Sequence, residues 1–114
     1  KFGLYKGNGS TDGKFQFTGF RPAVIIYKRI SSADNWGLHD SARDTKNPVY
    51  HFLYPDLTNA EWTSGSQDYC DFFGNGFKWR QDSSMLNGNN DNYVYMAFAE
   101  QPQFTPYDTQ PNAR

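Results

Sequence analysis

Aromatic side chains outnumber the branched aliphatics almost two to one in this chain: 21 Phe, Tyr and Trp stand against 11 Ile, Leu and Val in 114 residues. A core built from such a set cannot be a bundle of leucine-rich helices. Each aromatic ring buries about 150–250 Å², so area lost with the missing aliphatics is recovered by rings. Rings favour strands, and the 10 Gly, 10 Asn and 6 Pro favour tight turns. Ile, Leu, Val and Phe together number 21, low enough to raise the question of disorder, yet the net charge of -1 lacks the self-repulsion that keeps a chain unfolded. The composition predicts a folded, all-β chain.

Charge and length exclude several functions. With 11 basic and 12 acidic residues there is no electrostatic footprint for nucleic acid or an anionic membrane surface. No apolar run approaches the roughly 18 residues of a membrane-spanning helix. The length suits one hydrophobic core, and the opening Lys1-Phe2-Gly3 reads as part of something longer. Cys70 is the single cysteine, which forbids an internal disulfide and a cysteine-rich zinc site and is expected to be a small buried hydrophobe.

Turn signals cut the chain into short pieces. Gly7-Asn8-Gly9-Ser10 and Asp12-Gly13 separate Phe2–Lys6 from Lys14–Phe20, a pattern that predicts a hairpin. Ala23–Arg29, with Val24-Ile25-Ile26, and Asn92–Ala99 are the strongest strands, each apolar on both faces. Asn35–Asp40, Val49–Tyr54, Tyr69–Phe73 and Gly76–Gln81 are further candidates. Helix is confined to one possible turn at Thr58–Glu61, where a capping box is followed closely by Gly65. From Gln101 to Arg114 the chain is polar and punctuated by proline, and is expected to lie extended. The expected architecture is a single antiparallel β-sandwich, jelly-roll-like, over residues 1–100, followed by a tail over 101–114.

Residues with chemical potential form no catalytic set. His39-Asp40-Ser41 has the residue types of a hydrolytic triad, but neighbours on a strand point to opposite faces. Asp40 and Ser41 are better read as a strand end whose oxygens satisfy turn amides. His39 and His51 have no diagnostic metal spacing, and the glycine clusters lead into no helix that would cradle a phosphate. No catalytic residue, metal or cofactor is expected. Trp36 and Trp62, each beside polar residues, and the Asn87, Asn89 and Asn90 loop offer instead a stacking face and amide groups of the kind that hold sugar hydroxyls. Taken one at a time, each tryptophan reads first as core.

Several motifs follow in order: Gly7-Asn8-Gly9-Ser10, Gly19-Phe20-Arg21-Pro22-Ala23, Ile26-Tyr27-Lys28-Arg29, Asp40-Ser41-Ala42-Arg43, Asn75-Gly76-Phe77, and Tyr93-Val94-Tyr95-Met96-Ala97-Phe98-Ala99-Glu100. Their succession, from Tyr5 to Pro102, resembles a β-domain recurrent in bacteriophage tail-fibre and related virion proteins. Gln103 departs from the direct Pro-Phe step common in that family. The resemblance implies a non-enzymatic virion part, assembled in the host cytoplasm and carried on a surface appendage in several copies. It also implies contact with a host-cell surface glycan or other receptor and with other virion proteins. A purely structural virion module, for capsid decoration or fibre assembly, and a carbohydrate-binding module of a larger protein are the alternatives. Because Asn92–Ala99 is apolar on both faces, a loop or another chain is expected to cover the second face. The resemblance to tail fibres, which are commonly trimeric, implies a homotrimer, with Tyr93, Tyr95 and the Pro-rich tail near its contact.

Overall fold

The computed structural model of the chain describes residues 1–63 and 69–100. Strands within them are β1 (Phe2–Lys6), β2 (Phe15–Phe17), β3 (Pro22–Arg29), β4 (Gly37–Asp40), β5 (Cys70–Phe73), β6 (Gly76–Trp79) and β7 (Asn92–Ala99). They form two antiparallel sheets, one ordered β1-β7-β3-β4 and the other β2-β6-β5. No helix occurs among the described residues. The fold is an all-β sandwich. The tail expected over 101–114 lies outside the described residues.

Strand patterning explains the layering. Along β7, Tyr93, Tyr95 and Ala97 are buried between the sheets, while Val94, Met96 and Phe98 face outward. Ile25 and Tyr27 on β3 and Tyr5 on β1 share the inner side in register with them. Opposite lie Phe72, Phe77 and Trp79 from the three-stranded sheet. Rings interlock across the gap: Tyr27 meets Trp79 edge-on at 4.8 Å, and Phe77 meets Tyr95 at 5.2 Å. Tyr5 and Tyr93 stack in parallel at 4.8 Å within one sheet. Edge and offset contacts of this kind each add about 0.5–1.5 kcal/mol to the burial of the rings themselves. Cys70 is fully buried, and that burial holds its thiol well above the ordinary range, so it has no thiolate to react with.

Two local expectations are corrected. Phe2–Lys6 and Lys14–Phe20 do not form a hairpin: β1 joins the four-stranded sheet and β2 the other. The intervening glycine-rich segment is held elsewhere, with Gly9 N–H donating to Asn87 O and Gly13 N–H to Trp79 O. Likewise Val49–Tyr54 makes no strand. Val49 pairs with Cys70, Phe52 with Trp62 and Leu53 with Leu38, so each residue bonds a different segment and no continuous ladder develops.

Tyr93 and Tyr95, expected near an oligomer contact, are core residues at 0% and 3% exposure. The period of two in β7 places them between the sheets, out of reach of a second chain. The outward residues of that strand are Val94, Met96 and Phe98.

Candidate ligand site

Near the start of β4, where Tyr27 pairs with Gly37, aromatic side chains from distant segments surround a cavity of about 110 Å³. Tyr27 comes from β3, Phe52 and Tyr54 from the bridged segment, Trp62 from its bridge to Phe52, and Tyr69 from just ahead of β5. Ser83, Met85 and Leu86 complete it from the β6–β7 connection. Phe52 is the hub of this wall: Tyr54 and Tyr69 meet it edge-on at 5.1 and 5.2 Å, and Trp62 stacks over it at 5.9 Å. Backbone bonds in both directions between Phe52 and Trp62 fix the indole at that position. Trp62 keeps 43% of its surface exposed, so it forms the mouth.

Tyr27 lies deepest. It is fully buried, yet its hydroxyl has no hydrogen-bond partner. A buried hydroxyl without a partner costs of the order of 1–3 kcal/mol, a penalty a ligand oxygen or nitrogen would remove. Gly37 is what lets the ring sit there, because a Cβ at that position would overlap the phenol. Burial pushes the Tyr27 phenol well up, and the thiol of Cys70, the phenols of Tyr54 and Tyr69 and the Asp34 carboxylate act the same way. Tyr54 is raised by burial and then by Asp34. Tyr69 is raised by burial and by Tyr54, against a hydrogen bond with Trp62. Phenols from three segments thus stay protonated at neutral pH and sense one another across the cavity. The result is an apolar, ring-lined recess with neutral hydroxyls and no cation in its wall.

The residues proposed from the sequence divide sharply. Trp62 is at the mouth. Trp36 is half-buried just ahead of β4 and does not line the cavity. Asn87, expected to reach a ligand, is 2% exposed and fully engaged within the chain. Its Nδ2 donates to Asn8 Oδ1 at 3.0 Å and Ser10 O at 2.8 Å, and its Oδ1 accepts from Asn8 N–H at 3.2 Å. Asn89 and Asn90 are exposed, but they sit over the Gly7–Gly9 turn, with Asn90 N–H donating to Gly7 O. It is the first half of that connection, Ser83–Leu86, that reaches the cavity.

A second recess, polar and about 440 Å³, runs from Arg43 to His51. His51 Nδ1 lies 2.6 Å from Asp44 Oδ1, whose partner oxygen accepts the backbone N–H groups of Tyr50 and His51. That arrangement fastens a loop and engages His51, the side chain in the recess best suited to act as a base, with Asp44. Asp40 behaves as a strand end should, accepting from Ala42 and Arg43 N–H, while His39 turns to the opposite side into the core. Among the described residues no three His, Cys, Asp or Glu side chains are grouped to hold a metal ion, and no helix is long and apolar enough to cross a membrane.

Residues 1–102 match a family model whose description is Domain of unknown function (DUF7483). No curated protein and no solved structure matches the chain.

Proposed function

We propose that the chain, which belongs to the DUF7483 family, is a non-enzymatic domain of a phage tail fibre or related virion appendage that binds a surface glycan of the host. The order of sequence motifs supports the virion setting. The observation that carries glycan binding is the ring-lined recess, with the Trp62 indole exposed at its mouth and the unpartnered Tyr27 hydroxyl at its floor. A sugar ring is amphipathic: its C–H face stacks on an indole while its edge hydroxyls exchange bonds with phenols and Ser83. A cavity of this size admits one edge or substituent of a pyranose, so the rest of the glycan lies across Trp62. Affinity per site is then weak, and presentation in several copies raises it by about 10²–10⁴ through effective concentration.

Trp62→Ala tests this directly, because it removes the indole at the mouth and leaves Tyr27, Phe52 and Tyr69 to wall the recess. The substitution is expected to weaken binding of purified host surface polysaccharide about tenfold or more, the loss of one stacked aromatic anchor. The variant should stay folded, with a melting temperature lowered by the loss of the stack on Phe52 and a melt as cooperative as the parent's, so binding is compared well below that midpoint. Calorimetric titration with unchanged affinity in the folded variant would remove the recess as the site. Loss of binding in Asn89→Ala/Asn90→Ala with Trp62→Ala unaffected would move the site to the β6–β7 loop tip.

A further inference from the structure

The four-stranded sheet turns a second apolar side to solvent. In register across it lie Leu4 and Val94, then Phe2, Met96, Ile26 and Leu38, then Phe98 and Val24. Phe2, Leu4 and Phe98 are 73%, 72% and 49% exposed, and the other five are half-buried. With large side chains contributing about 150–250 Å² each, the face leaves roughly 600 Å² of apolar surface open. That is the upper end of what a monomer tolerates as a continuous patch.

We propose that this face seats a second copy of the same chain, sheet against sheet, about a two-fold axis parallel to the strands. Pairing two such faces buries about 1,200 Å², the lower bound for a specific protein interface. Shape favours a copy over an unrelated partner. The most protruding side chains, Phe2 and Leu4, stand on β1 at one edge. At the other edge Val24, Leu38 and Leu53 line an open depression of about 460 Å³. The proposed axis keeps each row at its own height and lays β1 of one copy over β4 of the other, twice, so each Phe2 meets the Leu38 row at the border of the depression, as an isologous interface requires. Charge is confined to the two ends of the face: Lys28 stands beside Val94 and Lys6 beyond Leu4, while Asp40, beside Val24 at the other end, is paired with Arg43, so the Phe2–Met96–Ile26–Leu38 row carries no charge.

Sedimentation of the 114-residue chain at micromolar concentration is the test. The parent is expected at twice the chain mass, and Leu4→Lys/Phe98→Lys at the chain mass with a cooperative melt, its midpoint lower only by the association it has lost and independent of concentration, since both side chains are largely exposed in one chain. Phe2→Cys/Leu38→Cys should form a disulfide-linked dimer under mild oxidation, because the two positions share one row of the sheet and lie on its opposite edges, three strands apart within one chain. Cys70 is buried and stays out of that reaction. A monomeric or trimeric parent overturns the proposal. So does a Leu4→Lys/Phe98→Lys variant that still dimerises, or a double-cysteine variant that does not cross-link. Polysaccharide binding through Trp62 is measured separately and does not depend on this outcome.

Discussion

Lowering the pH from 7 to 4 is expected to cost the domain about 3 kcal/mol of stability, and His39→Phe to remove most of that loss. His39 is fully buried among Tyr27, Phe52, Tyr69 and Trp79, its ring 5.4–5.8 Å from theirs, and neither ring nitrogen has a hydrogen-bond partner. Burial lowers its pKa from 6.5 to about 3, against a smaller upward pull from Asp44 and Asp40. The unfolded chain therefore takes up a proton near pH 6.5 that the folded chain refuses until about pH 3. Stability is complete above the higher value and falls as the pH drops through that window. A domain of this size holds about 5–15 kcal/mol in all, so a loss of this order moves the acid midpoint into an accessible range. Carboxylates act lower down: Asp91, held down by its hydrogen bond to Arg29, loses its contribution only as the pH falls below the ordinary carboxylate value. Chemical denaturation at a series of pH values separates the two. His39→Phe should match or exceed the parent at pH 7, since it buries no unbonded nitrogen, and should show a flat profile between pH 6.5 and 4. A parent profile already flat there would mean that His39 is hydrogen-bonded or hydrated.

Asn87→Ala is expected to destabilise the domain by about 3 kcal/mol, from three lost side-chain bonds and the buried groups they leave unsatisfied. The amide ties the Gly7–Ser10 turn, 77–79 residues away, to the end of the β6–β7 connection. Losing it frees the segment that carries the chain from one sheet to the other. Asn87→Asp should cost nearly as much, because a carboxylate cannot donate to Asn8 Oδ1 and Ser10 O. Urea melts of both variants give the size of the effect. Any change in polysaccharide binding should track the unfolded fraction, in contrast to Trp62→Ala. A melt like the parent's would show that the turn is held by Gly9 and Asn90 backbone bonds alone.

The contrast between Asn87 and its neighbours marks how far the sequence could be read. β3 and β7 were legible because runs of β-branched and aromatic residues admit little else, and the alternation in β7 separates Tyr93 and Tyr95 from Val94 and Met96. Which side faced the core was not legible, since both are apolar and only the opposing sheet decides. The Gly7–Gly13 segment carries every local signal of a hairpin turn, but its partners come from the far end of the chain. Asn87 sits in a run of polar residues like a solvated loop tip, and its burial follows from bonds that no local pattern encodes. Trp62 could be found from its polar neighbours. Tyr27, Tyr54 and Tyr69 could not be joined to it, because their segments meet only when Val49, Phe52 and Leu53 each pair with a different stretch of chain.

The ring lattice of the core also makes the domain an optical device. Parallel, near-touching phenols such as those of Tyr5 and Tyr93 couple their electronic transitions, so the ellipticity of the folded chain in the far ultraviolet carries an aromatic exciton band superimposed on that of the strands. Light absorbed by these tyrosines flows to the indole of Trp79, which lies within 6.2 Å of both Tyr5 and Tyr27 and is screened from water. The imidazole of His39 sits 5.7 Å from that same indole and, once protonated, quenches it. Of the three tryptophans only Trp79 is buried beside His39, so its share of the emission holds steady while that histidine stays neutral in the folded chain.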